Sequence, residues 1–137
     1  MTERPVLLIE DNEQNRYLAT FLLENSGYLV VAEPDGPRGI ATAAAIDPVV
    51  ILLDIQLPGV DGYAVARALR AVEILRETPI IAVTSHAMPG DREKAVAAGC
   101  SGYVEKPIDP DTFIASLQSV GLPPPSTRGP DEGPPGR

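Results

Sequence analysis

Four short runs in this chain lead into polar residues able to do chemistry. Val6 to Ile9 ends at Glu10-Asp11, Val49 to Leu53 at Asp54, Ile80 to Val83 at Thr84, and Gly102 to Val104 leads within two residues to Lys106. Brought to one edge, the three carboxylates would repel and raise one another's pKa unless a cation joined them. A hard divalent ion answers that need, and Mg²⁺ in particular takes few protein oxygens together with waters and phosphate oxygens. An ionised carboxylate in such company can attack phosphorus, because the ion and Lys106 would neutralise the phosphoryl charge and positioning carries most of the catalysis. Thr84 can donate its hydroxyl to a phosphoryl oxygen, which gives the phosphorylated and free states different contacts.

The elements that must position these residues follow from the pattern. Val6 to Ile9 predicts a strand, and Asn12 to Asn25 a helix with apolar spacing at Tyr17, Leu18, Phe21 and Leu22. Asp11 followed three residues later by Gln14 has the spacing of a capping box. Gly27 stops the helix, Tyr28 to Glu33 is β-branched enough for a second strand, and Ile40 to Ile46 is an alanine-rich second helix whose start Pro37 and Gly39 obscure. Val49 to Leu53 is continuously apolar, the signature of a central parallel strand buried on both faces. Pro58, Gly59 and Asp61-Gly62 supply loop and helix-start chemistry before a helical stretch from Tyr63 to Leu75. Pro79 opens the strand Ile80 to Val83, Asp91 to Ala98 is a helix capped by Gly99, Gly102 to Val104 a short strand, and Asp109 to Val120 a last helix. Five strands alternating with five helices imply one parallel α/β sheet, doubly wound, with helices on both faces. Ligands of such sheets bind beyond the carboxyl ends of the strands, where the residues above fall.

The bulk properties agree. With 137 residues the chain suits one domain. Lys and Arg total 11 against 19 Asp and Glu, and the net charge of −8 argues against nucleic acid as a direct partner. No apolar run approaches the roughly 20 residues of a membrane span, and Met-Thr-Glu-Arg leads straight into a strand, so a cytoplasmic protein with no membrane partner is expected. The single cysteine, Cys100, is expected to be a small packed hydrophobe. From Leu122 the composition turns to Pro, Gly, Ser and charge, which predicts a folded domain over 1–121 and a disordered tail over 122–137 with nothing apolar to bury.

Over about residues 5 to 120 the chain resembles the receiver domains of two-component response regulators. The matching stretches are Leu-Leu-Ile-Glu-Asp-Asn, Leu-Asp-Ile-Gln-Leu-Pro-Gly-Val-Asp-Gly, Ala-Val-Thr-Ser-His-Ala-Met and Gly-Tyr-Val-Glu-Lys-Pro-Ile. The resemblance implies a flavodoxin-like sheet in the order 2-1-3-4-5 and makes Asp54 the phosphoacceptor, supplied by a histidine kinase or a histidine phosphotransfer protein. Glu10, Asp11, Asp54 and the backbone carbonyl of Gln56 would then hold Mg²⁺, or Mn²⁺ in its place, with Lys106 and Thr84 on the phosphoryl group. It further implies Tyr103 as the switch aromatic, a cis peptide at Lys106-Pro107, and Gln56 and His86 as side chains able to tune hydrolysis. Two residues depart from the family pattern: Glu10 stands where Asp is commoner, and Ser85 where Ala is commoner. Asn12 with Asn15 also resembles the receivers of hybrid kinases and stand-alone phosphorelay regulators.

A signalling phosphoacceptor rather than an enzyme is therefore expected, self-phosphorylating from small donors, dephosphorylating slowly, and controlling a downstream protein as a monomer or phosphorylation-dependent dimer. The competing readings are a receiver-like scaffold that is never phosphorylated, an excised receiver of a hybrid histidine kinase, and a nucleotide-binding or phosphatase domain. The last lacks a Gly-rich phosphate loop after the first strand, where Glu10-Asp11-Asn12 would repel a pyrophosphate.

Overall fold

The computed structural model describes residues 4–57, 59, 61–85 and 89–125. Pro58, His86 and the chain beyond Pro125, each named above, lie outside the described residues. The strands β1 (Val6–Ile9), β2 (Val30–Glu33), β3 (Val50–Asp54), β4 (Ile80–Thr84) and β5 (Gly102–Glu105) form one parallel sheet in the order β2-β1-β3-β4-β5. Helices α1 (Glu13–Asn25), α2 (Gly36–Ile46), α3 (Gly62–Ala71), α4 (Asp91–Ala97) and α5 (Phe113–Ser119) alternate with them, with a short 3-10 turn at Glu73–Leu75 after α3.

The period-two alternation of strand side chains divides the interior into two layers. Leu7, Ile9, Ile51, Leu53, Ile80 and Ala82 pack with α2, α3 and α4 on one face. Val6, Leu8, Val50, Leu52 and Ile81 pack with α1 and α5 on the other. Both layers are apolar, and each fully buried Leu or Ile contributes about 1.5–3 kcal/mol, so the three central strands form a firm platform whose ends carry Glu10, Asp54 and Thr84. Among the described residues no helix is long and apolar enough to cross a membrane.

Several boundaries differ from the sequence expectation, each for a local reason. The cap of α1 is Asn12, whose side chain accepts from Asn15 N–H, and not Asp11 with Gln14; Asp11 is drawn into the acidic cluster instead. Helix α2 begins four residues before Ile40, because Asp35 accepts from Arg38 N–H and Pro37 is well suited to the first turn. Gly39 within it lets the helix approach β1, since a Cβ there would meet the Ile9 side chain. The stretch predicted as one helix from Tyr63 to Leu75 breaks at Val72, where the backbone turns extended and a 3-10 turn follows. Strand β2 starts two residues later than Tyr28, and α5 starts at Phe113 after a turn. Cys100 is buried as expected, and burial pushes its thiol up to about 11 against the opposing charge of Arg70, which disfavours the thiolate.

The change of composition at Leu122 does not mark the end of packing. Leu122 is only 3% exposed and joins the α1/α5 layer, its N–H donating to Leu117 O. Next to it the Tyr28 hydroxyl donates to Pro123 O at 2.6 Å and accepts from Gln118 Nε2 at 3.1 Å. Leu122→Ala is therefore expected to lower the unfolding free energy by about 2–5 kcal/mol, the cost of truncating a buried leucine. Urea unfolding followed by circular dichroism checks this, and a loss below about 0.5 kcal/mol would show that Leu122 is not part of the core.

Candidate functional site

Parallel pairing in register brings the ends of β1, β3, β4 and β5 to one edge, and every strand-end residue singled out above meets its neighbours there. Asp54 is the last residue of β3 and Thr84 the last of β4, while Glu10 and Asp11 follow β1 and Lys106 follows β5. Carboxylate oxygens of Glu10, Asp11 and Asp54 all lie within 4.8 Å of one another. Glu10 and Asp54 are each only 3% exposed, and Asp11 is more open.

Lys106 lies between the two buried acids. Its Nζ is 2.8 Å from Glu10 Oε1 and 3.5 Å from Asp54 Oδ2, so Glu10 and not Asp54 is its nearer partner. The other oxygen of each acid accepts from a backbone N–H: Asn12 to Glu10 Oε2 at 3.2 Å, and Gln56 to Asp54 Oδ1 at 2.9 Å. Burial raises the pKa of Glu10, the hydrogen bond from Lys106 opposes this, and the charge of Asp54 adds to it. One ammonium cannot balance three carboxylates, and the oxygen-only donor set suits a hard divalent cation. Lys106 is itself held by its main chain, through a 2.7 Å hydrogen bond to Thr84 O, and the Lys106-Pro107 peptide is cis.

Three features escaped the sequence pattern. Arg16, one turn into α1, donates to the carbonyls of both Glu10 and Asp11 at 2.9 and 3.2 Å and so fixes the acidic loop; its position about one turn after the acid pair was the available signal. The Gln56 side chain reaches Thr84 and Ser85 across the strand ends, a long-range contact that no local pattern reports. Gly62 lets α3 start hard against the loop after Asp54, since a Cβ there would meet the Ile55 backbone. Asp61 caps α3 by accepting from Tyr63 N–H at 2.9 Å, as its position before the helical stretch suggests.

Tyr103 lies inward, 8% exposed, with Arg92 of α4 stacked 5.2 Å from its ring centroid. Burial raises its pKa, with further contributions from Asp91 and Glu105 and opposition from Arg92. Its hydroxyl is buried and makes no hydrogen bond among the described residues. An unsatisfied buried hydroxyl costs about 1–3 kcal/mol, so Tyr103→Phe is expected to leave stability unchanged or raise it. Thermal unfolding checks this; a clearly lowered midpoint would mean that the hydroxyl has a partner in solution.

Comparison with known proteins agrees with this geometry. The family model for the response regulator receiver domain matches residues 6–118. The polar-differentiation response regulator DivK of Brucella ovis is 41% identical over 116 residues, covering 85% of this chain and 94% of that protein. Among solved structures, the chemotaxis protein CheY4 of Vibrio cholerae superposes with a TM-score of 0.82 at 28% identity, covering 87% of this chain and 99% of that one. The receiver domain of the sensor histidine kinase PA1611 of Pseudomonas aeruginosa, solved with a magnesium ion coordinated in its active-site cleft, gives 0.77 at 36% identity over 87% of this chain and 98% of that one. An acidic cluster at the carboxyl edge of a 2-1-3-4-5 parallel sheet, together with these matches, establishes that the chain belongs to the response regulator receiver family of two-component signalling.

Proposed function

We propose that Asp54 accepts a phosphoryl group from a phosphohistidine on a histidine kinase or a histidine phosphotransfer protein. The observation that carries this reading is the placement of Asp54, buried between Lys106 and the other two carboxylates at the sheet edge. An oxygen of its ionised carboxylate attacks phosphorus, a P–O bond forms as the P–N bond breaks, and the imidazole nitrogen keeps the electron pair. Backbone donation from Gln56 to Oδ1 holds the carboxylate plane, and Lys106 faces the position where phosphoryl charge would gather.

Glu10, Asp11 and Asp54, with the backbone carbonyl of Gln56, would hold Mg²⁺ or Mn²⁺. The bound ion would neutralise phosphoryl oxygens that the acids alone would repel. Lys106 then exchanges its contact with Glu10 for one with the phosphoryl group. Thr84 donates to a phosphoryl oxygen, and Tyr103 couples that contact to the α4, β5 and α5 surface, which a downstream protein reads. The chain acts there as a monomer or as a phosphorylation-dependent dimer. His86 and the Gln56 side chain are side chains able to tune hydrolysis, and the protein works in the cytoplasm.

The presence of Asp54, Lys106 and the acidic pair together supports this reading over an unphosphorylated scaffold. The 36% identity to a receiver from a sensor histidine kinase favours, as a second setting for the same chemistry, a receiver that belongs to a hybrid kinase. With Mg²⁺ and a small acyl phosphate, intact mass is expected to show one added phosphoryl group. EDTA and Asp54→Asn should each abolish it. Labelling that persists in Asp54→Asn would place the phosphoacceptor elsewhere and overturn the proposal.

A further inference from the structure

Of the three clustered acids, Asp11 is the one that its own side chain does not hold. The Glu10 carboxylate accepts from Lys106 and from Asn12 N–H, and that of Asp54 accepts from Gln56 N–H with Lys106 beside it. Among the described residues the Asp11 carboxylate makes no hydrogen bond or ion pair, yet its oxygen lies within 4.8 Å of the other two acids. Its direction is therefore set by its main chain, and there Arg16 acts. A single nitrogen, Arg16 Nη1, donates to Glu10 O at 2.9 Å and to Asp11 O at 3.2 Å. Each carbonyl belongs to a planar peptide unit, and these two units flank Asp11. Holding both restricts φ and ψ of Asp11, the two soft angles that aim its Cα–Cβ bond. Arg16 is itself fixed in the first turn of α1, where its main-chain N–H donates to Asn12 O at 2.8 Å.

We propose that Arg16 is a positioning residue that presets Asp11 for a small octahedral cation, so that the acid cluster selects Mg²⁺ over Ca²⁺. This deepens the reading of Glu10, Asp11 and Asp54 as an Mg²⁺ site and rests on it. Mg²⁺ demands near-ideal octahedral geometry at about 2.0–2.1 Å, whereas Ca²⁺ accepts about six to eight oxygens at about 2.3–2.6 Å in flexible arrangements. A carboxylate that swings on a loosened main chain is therefore a greater loss to Mg²⁺ than to Ca²⁺. Charge alone works the other way. The guanidinium repels any cation, so its removal without a loss of positioning would tighten both ions alike.

The test is titration of the full chain with MgCl₂ and, separately, with CaCl₂ at constant ionic strength, followed by NMR of the Asp11 and Asn12 main-chain amides. The parent is expected to bind Mg²⁺ more tightly than Ca²⁺, with both amides shifting to saturation. Arg16→Met removes the donors and the charge and should weaken Mg²⁺ about 10-fold, the lower end of the range for residues that orient a metal ligand, and Ca²⁺ by no more than about 2-fold. Arg16→Lys keeps the charge without the planar fork, so it too should lower the ratio of Mg²⁺ to Ca²⁺ affinity, and it carries the test if Arg16→Met does not fold. A pure charge effect or a general loosening moves both ions together, so the ratio isolates positioning. An unchanged ratio in the variants, or a parent that prefers Ca²⁺, overturns the role of Arg16 while leaving the acid cluster a cation site. No Mg²⁺ response in the parent removes the metal reading and the role of Arg16 with it.

Discussion

The site turns on one electrostatic imbalance: two carboxylates buried at the end of a parallel sheet share a single ammonium. Glu10 and Asp54 lie at adjacent strand ends because β1 and β3 pair in register, and Lys106 reaches both because β5 ends two strands away from β3 on the same edge. Removing charges from water costs several kcal/mol each unless partners repay it, and three acids against one Lys106 leave the pocket short of positive charge. Burial raising the Glu10 pKa is the local expression of that shortage. The apolar platform beneath the site keeps the acids from relaxing apart, so the need for a cation is built into the fold.

The same constraint explains why Lys106 sits closer to Glu10 than to Asp54. Glutamate is one methylene longer than the aspartate commoner at this position, and its Oε1 extends to Nζ at 2.8 Å. Asp54 is thereby left with one oxygen on the Gln56 N–H and the other only loosely held at 3.5 Å. That looseness suits the proposed reaction, since a carboxylate tied by two short hydrogen bonds would have to break one before attacking phosphorus.

Much of this was legible in the sequence because it is a matter of period and termination. A short, continuously apolar and β-branched run such as Val49 to Leu53 has the pattern of a buried strand, so the identity of the next residue, Asp54, carries meaning. The strand-end set of Glu10, Asp11, Asp54, Thr84 and Lys106 follows from that logic together with parallel topology. What stayed hidden involves contacts between distant segments or choices between near-equal local options. Asp11 with Gln14 and Asn12 with Asn15 have the same spacing, and only recruitment of Asp11 to the acidic cluster decides that Asn12 caps the helix. Composition ended the domain before Leu122, yet one leucine with a buried neighbour shell outweighs the prolines that follow it.

The contacts at the end of β4 show how little energy such a switch has to move. Thr84 is tied to Gln56, and Tyr103 lies inward under Arg92 with its hydroxyl unsatisfied among the described residues. A cation over a ring is worth about 0.5–2 kcal/mol and an orphaned hydroxyl costs about 1–3 kcal/mol, so these two terms largely cancel for the inward Tyr103 and burial of its ring holds it there. Hydrogen bonds exchanged at Thr84 are of the same size. In the proposed switch, contacts of this size change at the ends of β4 and β5, while the apolar platform below is bound by larger burial energies. The proposed reading thus places the fixed part in the sheet and the moving part at the tips of its strands.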